Sequence, residues 1–163
     1  MKIIFAVEAN NIIEEVPEFM ELLVKETKVF DFHDLTFMFE TYAEASHAEE
    51  LLREADLLEN HFELLLVDNG EKGETFFDFG IETPNRTYLL KDLLCSFSII
   101  GGDYDSIRMA VLQVDEHLIY KTVHEKETVY FVESHLIELV KGIADAYDIK
   151  VSFFELDKQV KKI

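Results

Sequence analysis

"TFMFETYAEASHAEELLREADLLENHFELLLV", Thr36 to Val67, is the stretch whose reading decides the fold class. It opens on Thr and Phe residues suited to a strand and closes on an apolar run that ends in Val67. Between them Ala48, Leu51, Leu52, Ala55 and Leu58 recur at three- and four-residue steps, the period of a helix with one buried face. Ser46 and Glu49 form a Ser-x-x-Glu capping pair, so the helix is expected to start at Ser46. Its outer face carries Glu49, Glu50, Arg53, Glu54, Asp56 and Glu59. Like charges at helical neighbour spacing cost about 0.2–0.5 kcal/mol per pair, and burial of the other face must offset that.

The same strand, helix, strand order is read on both sides of this stretch. "KIIFAVEA" from Lys2 alternates branched and aromatic residues and reads as a first strand, too short in its apolar run for a signal peptide. Ile12, Val16, Phe19, Met20 and Leu23 then define a buried helical face opposite Glu14, Glu18 and Glu21. Pro17 is tolerated only in a first turn, so the regular helix should begin near Val16 after a looser turn. "KVFDFHDLTFMFETYA" reads as one bent strand or two short ones. "FELLLVD" and "ETFFDFGIE" flank "NGEKG" and are expected to form a hairpin. Thr83-Pro84 should start a third helix running to about Phe97. From Ile107 the chain alternates as two or three strands with turns at Asp115–Glu116 and Glu125–Lys126. Ser134 is expected to cap a last helix, and "IKVSFFELD" closes as a strand.

Lys2–Phe32, Thr36–Val67 and Thr128–Leu156 thus echo one another, although their spacing is irregular and shared identities are few. The order of elements gives an α+β class: a mixed or antiparallel sheet with about four helices packed mainly on one face, with a ferredoxin-like layout as one arrangement. At 163 residues, 48% hydrophobic and rich in Phe, the chain is expected to form a single compact domain over residues 1–163.

Charge is the most informative property. The net charge is −19, and it is uneven: up to Glu82 there are 21 acidic and 5 basic residues, afterwards 13 and 10. An acidic half, 1–82, is therefore followed by a near-balanced half, 83–163. Clustered charge makes a field that steers oppositely charged partners. Direct nucleic-acid binding is disfavoured because few cations are present to neutralise phosphates, and anionic lipid surfaces repel such a chain. No stretch approaches the roughly 20 apolar residues that span a bilayer. A lone cysteine, Cys95, in an apolar stretch fits a reducing compartment, so a cytoplasmic location is expected.

No nucleotide-binding loop, zinc-protease helix, calcium loop or nucleophile elbow is present, and no cofactor is expected. "GGDYD" at 101–105 holds two carboxylates that suit a hard cation, but a Gly-Gly-Asp turn is commonplace. Asp31 and His33 share one side of a strand and, with His117, His124 or His135, would supply general-base or metal chemistry. His47 and His135 directly follow the serines read as caps. These residues support three readings. The first is a non-enzymatic acidic protein that docks on a basic partner through Glu14, Glu18, Glu21, Glu49, Glu50, Glu54, Asp56 and Glu59. Its sharpest form is an inhibitor or immunity-type protein imitating the charge of a nucleic acid. The second is a subunit of a larger assembly. The third is a small metal-dependent hydrolase built on Asp31 and His33.

Overall fold

A computed structural model describes residues 1–156. In chain order the elements are β1 (Lys2–Ala9), α1 (Pro17–Glu26), β2 (Asp31–His33), β3 (Thr36–Phe39), α2 (Tyr42–Glu54), β4 (Leu58–Val67), β5 (Gly70–Lys72), α3 (Phe76–Phe79), β6 (Gly80–Glu82), β7 (Thr87–Leu90), β8 (Leu94–Gly101), α4 (Tyr104–Asp115), β9 (Tyr120–His124), β10 (Glu127–Glu133), α5 (Ile137–Ala146) and β11 (Lys150–Phe154). Short 3-10 turns cover Asn11–Glu15, Lys91–Leu93 and Ser134–Leu136. The class is α+β, with two sheets of antiparallel strands.

Backbone contacts divide the chain into two compact units, an N-terminal one of Lys2–Leu66 with Ile81–Tyr88, and a C-terminal one of Met1, Val67–Gly80 and Leu89 onward. The N-terminal unit's sheet has the order β2-β3-β1-β4-β7-β6, and the C-terminal unit's has β11-β8-β10-β9-β5. Each contains a βαββαβ run with the same internal strand order: β2-β3-β1-β4 in the first and β9-β10-β8-β11 in the second. That is the ferredoxin-like arrangement, present twice.

The correspondence extends to single residues. Val7 lies opposite Phe37 as Phe97 lies opposite Tyr130. After α2, Asp56 has φ 58° and Leu57 N–H donates to Leu52 O at 2.8 Å; after α5, Asp148 has φ 52° and Ile149 N–H donates to Ala144 O at 3.0 Å. Both helices therefore end on a left-handed aspartate that turns the chain into the last strand, a conformation Asp adopts more readily than most residues.

The N-terminal core joins Val7, Ala9, Phe37 and Phe39 from one face of β1 and β3 to Ile13, Leu23 of α1, and Ala45, Ala48 and Leu52 of α2. Both helices thus cover the same face of the sheet. The C-terminal core repeats this with Phe97, Tyr130 and Val132 against Val114 of α4 and Val140 of α5.

Several expectations change. Ser134 opens a 3-10 turn and caps no helix, and α2 ends at Glu54, so Ala55 and Asp56 follow it and Leu58 and Glu59 lie on β4. The helix containing Ala48 and Leu52 begins at Tyr42, not Ser46, because Thr41 Oγ1 already accepts the Glu44 N–H at 3.3 Å. Thr41→Ala should accordingly cost about 1 kcal/mol while Ser46→Ala stays near neutral in urea unfolding. Thr83-Pro84 starts a turn instead of a helix: Thr83 N–H donates to Arg86 O at 2.9 Å and the chain continues into β7 and β8. Pro pre-sets φ for a β-turn as well as for a helix start. The stretch from Ile107 read as strand is α4, capped by Asp103, whose Oδ1 accepts the Asp105 and Ser106 N–H groups. Its buried Ala110 and Val114 sit at helical spacing among apolar residues that also alternate. Finally, "FELLLVD" and "ETFFDFGIE" form no hairpin around "NGEKG": β4 lies between β1 and β7, Phe76–Phe79 is the short helix α3, and β5 within the loop pairs with β9.

Candidate docking face and the Asp31 cluster

All eight carboxylates singled out from sequence fall in the N-terminal unit. Glu14 is on the 3-10 turn, Glu18 and Glu21 on α1, Glu49, Glu50 and Glu54 on α2, Asp56 at the end of that helix and Glu59 on β4. Seven are exposed and Glu49 is half-buried. Since α1 and α2 bury their apolar stripes against one face of the sheet, their other sides form a single outward layer, and that layer carries the helical carboxylates. The unit holds 17 acidic and 5 basic residues, a net −12. Three of those five cations are held in ion pairs: Lys2 with Glu40 at 2.6 Å, Arg53 with Glu49, and Arg86 with Asp31 at 3.5 Å. Glu49 also faces His61 at 3.3 Å; of the other seven, Glu14, Glu18, Glu21, Glu50 and Glu54 lie on the 3-10 turn and the two helices.

Asp31 takes another role. Its Oδ2 accepts hydrogen bonds from Tyr88 Oη at 2.6 Å, Thr83 Oγ1 at 3.0 Å and Arg86 at 3.5 Å, while Oδ1 accepts the Phe32 N–H at 2.9 Å. The Arg86 guanidinium lies 4.3 Å from the Phe30 ring centre, a cation–π stack that fixes its fork. Burial pushes the Asp31 carboxyl upward, yet the hydrogen bonds from Tyr88, Phe32 and Thr83 and the Arg86 charge outweigh it, so its pKa lies below the ordinary carboxylate value. Burial, and then the bond to Asp31, raises the Tyr88 hydroxyl. β2 stands at one end of the strand order and β7 and β6 at the other, so Asp31 ties the first strand of a curled sheet to β7 and to the turn between β6 and β7. Sequence spacing could not supply this, because the partners lie 52, 55 and 57 residues away.

The histidines have separate partners. His33 Nε2 faces Asp34 at 3.3 Å, His124 Nδ1 faces Asp68 at 3.2 Å, and His135 Nδ1 faces Glu133 at 3.4 Å. Asp31 and His33 share a strand side, as read, but face different groups. His117 follows the end of α4 on the surface, and His47 lies inside α2. Among the described residues no group of three or more His, Cys, Asp or Glu side chains is arranged to hold a metal ion. In "GGDYD", Asp103 is committed as a helix cap and its Oδ2 accepts the Ser106 hydroxyl at 2.7 Å. Burial raises the Cys95 thiol to about 11, which keeps it protonated and unreactive near neutral pH. Among the described residues no helix is long and apolar enough to cross a membrane.

No protein-family model matches the chain, and no curated protein matches it either.

Proposed function

We propose that this chain is a non-enzymatic cytoplasmic binding protein whose α1/α2 layer docks on a basic surface of a partner protein. The observation that carries the reading is the single layer of exposed carboxylates on two helices that cover one sheet face, in a unit of net −12 whose cations are largely engaged internally. Such a surface speeds association and selects partners by sign, while affinity comes from packing elsewhere in the interface. An inhibitor or immunity-type protein that imitates a nucleic acid is the finer form, because the partner's cationic groove then meets carboxylates where it normally meets phosphates.

The test neutralises Glu14, Glu18, Glu21, Glu50 and Glu54 to Gln and compares quantitative co-precipitation from cytosolic extract over a salt series. The partner held by the native chain should be retained at least about tenfold less by the variant at low salt, a change of about 1.4 kcal/mol. Its salt dependence should also flatten, since exposed charges are screened within about 10 Å at 0.1 M. Equal retention by both proteins at every salt concentration overturns the proposal.

A further inference from the structure

The two βαββαβ copies differ in how they enter their first helix, and beside that entry the second copy has a recess. Counting back from the buried helical residues Leu23 and Val114, Val16 corresponds to Ile107, and Ile13 to Tyr104. Ile13 is 0% exposed and Tyr104 is 81% exposed. The cause lies in the sequence. Pro17 lacks an N–H and starts α1 late, so Asn11–Glu15 winds as a 3-10 turn that places Ile13 in the core cluster that also holds Ala9 and Phe37, with Val16 and Leu35 packed against it. Asp103 instead caps α4 at once and Tyr104 leaves on the solvent side of its first turn. Ile99, Ile107, Thr128 and Tyr130, the counterparts of Ala9, Val16, Leu35 and Phe37, border an open recess of about 380 Å³ that exposed Ile100 and the hairpin residues Lys126 and Glu127 also line.

We infer that this recess of the C-terminal unit receives a branched aliphatic anchor residue from the partner protein, presented on a short turn and flanked by lysine or arginine. The N-terminal unit supplies the template, because an isoleucine on a tight turn fills the corresponding space there. The flanks follow from charge: a chain of net −19 repels an acidic segment and draws in a basic one. The flanks rest on the function proposed above; the aliphatic anchor does not. An apolar anchor in a preformed pocket is where interface affinity concentrates, with surrounding charge setting the approach.

Three acetylated, amidated peptides separate the two parts: KNIIKK, KNGGKK and SNIISS, each titrated into isotope-labelled full chain at moderate salt and followed by NMR. KNIIKK should shift the signals of Ile99, Ile100, Ile107 and Thr128 saturably, and KNGGKK should bind at least tenfold more weakly. Thr128→Trp, which fills the recess from an exposed position, should abolish the KNIIKK shifts while leaving the remaining spectrum folded. Equal binding of KNIIKK and KNGGKK, or shifts confined to α1 and α2, overturns the anchor and leaves the charge reading intact. Shifts at the recess from SNIISS as strong as those from KNIIKK sustain the anchor and overturn the cationic flanks. Absence of shifts from all three at millimolar concentration overturns the inference.

Discussion

Asp31→Ala is expected to lower the unfolding free energy by about 3 kcal/mol, because truncation strands the buried Tyr88 hydroxyl, leaves the Thr83 hydroxyl only a 3.5 Å bond to Arg86 O and takes away the charge partner of the Arg86 guanidinium. The loss should exceed that of Tyr88→Phe, which removes one donor and leaves the others in place. Asp31→Asn separates charge from shape. The folded-state pKa of Asp31 is depressed, so the unfolded chain binds this proton more readily than the folded one. The stabilisation is therefore complete above the unfolded value of about 3.9 and disappears as pH falls through the lower folded value. Urea unfolding at pH 7 and pH 3 should show a drop in native stability that is smaller in the Asp31→Asn variant. If Asp31→Ala unfolds at the native urea midpoint at pH 7, the carboxylate does not tie β2 to β7.

What was legible in the sequence follows the physical range of each signal. Helix period, the Pro17 start and the Glu125–Lys126 turn are local, and each was readable: α1 begins at Pro17, and both turn residues have positive φ. The echo between Thr36–Val67 and Thr128–Leu156 is also real, as β3-α2-β4 and β10-α5-β11. The Ser-His pairs at 46–47 and 134–135 do not correspond, since Ser46 lies inside α2 while Ser134 opens a 3-10 turn. The other half of the duplication, β1-α1-β2 against β8-α4-β9, was hidden because Ile107, Met109 and Val111 alternate like a strand while Ile107, Ala110 and Val114 step like a helix. Only the Asp103 cap separates the two. The exposure of Glu18, Glu21, Glu50 and Glu54 on α1 and α2 was readable from amphipathic spacing, whereas Asp56 and Glu59, read on the same helix face, lie beyond its end. The Asp31 cluster was not, because nothing in a three-residue strand reports on a tyrosine 57 positions later.

Two glycine substitutions to alanine should move stability in opposite directions, and the larger effect comes from the one that sequence placed in an ordinary loop. Gly73 follows β5, and a Cβ there would sit 1.6 Å from the Leu118 carbonyl oxygen and 2.5 Å from its carbon. Both atoms are backbone, so no rotamer relieves the overlap, and the Gly73 N–H to Ile119 O bond of 2.9 Å must open. β5 is held to β9 partly by Lys121, which bonds Glu71 at 3.1 Å, and Phe76 just beyond packs 5.7 Å from the Tyr120 ring. Prising β5 away disturbs that buried aromatic pair as well as the ladder, and a loss of about 3–5 kcal/mol is expected for Gly73→Ala. In α5, Gly142 has nothing within 4 Å of its missing Cβ, so Gly142→Ala gains helix propensity without a clash and should stabilise by about 0.5–1 kcal/mol. Urea midpoints of the two variants should bracket the native value. A Gly73→Ala midpoint at or above native would mean that β5 does not lie against the Leu118 backbone, and that the glycines of "NGEKG" serve a turn after all.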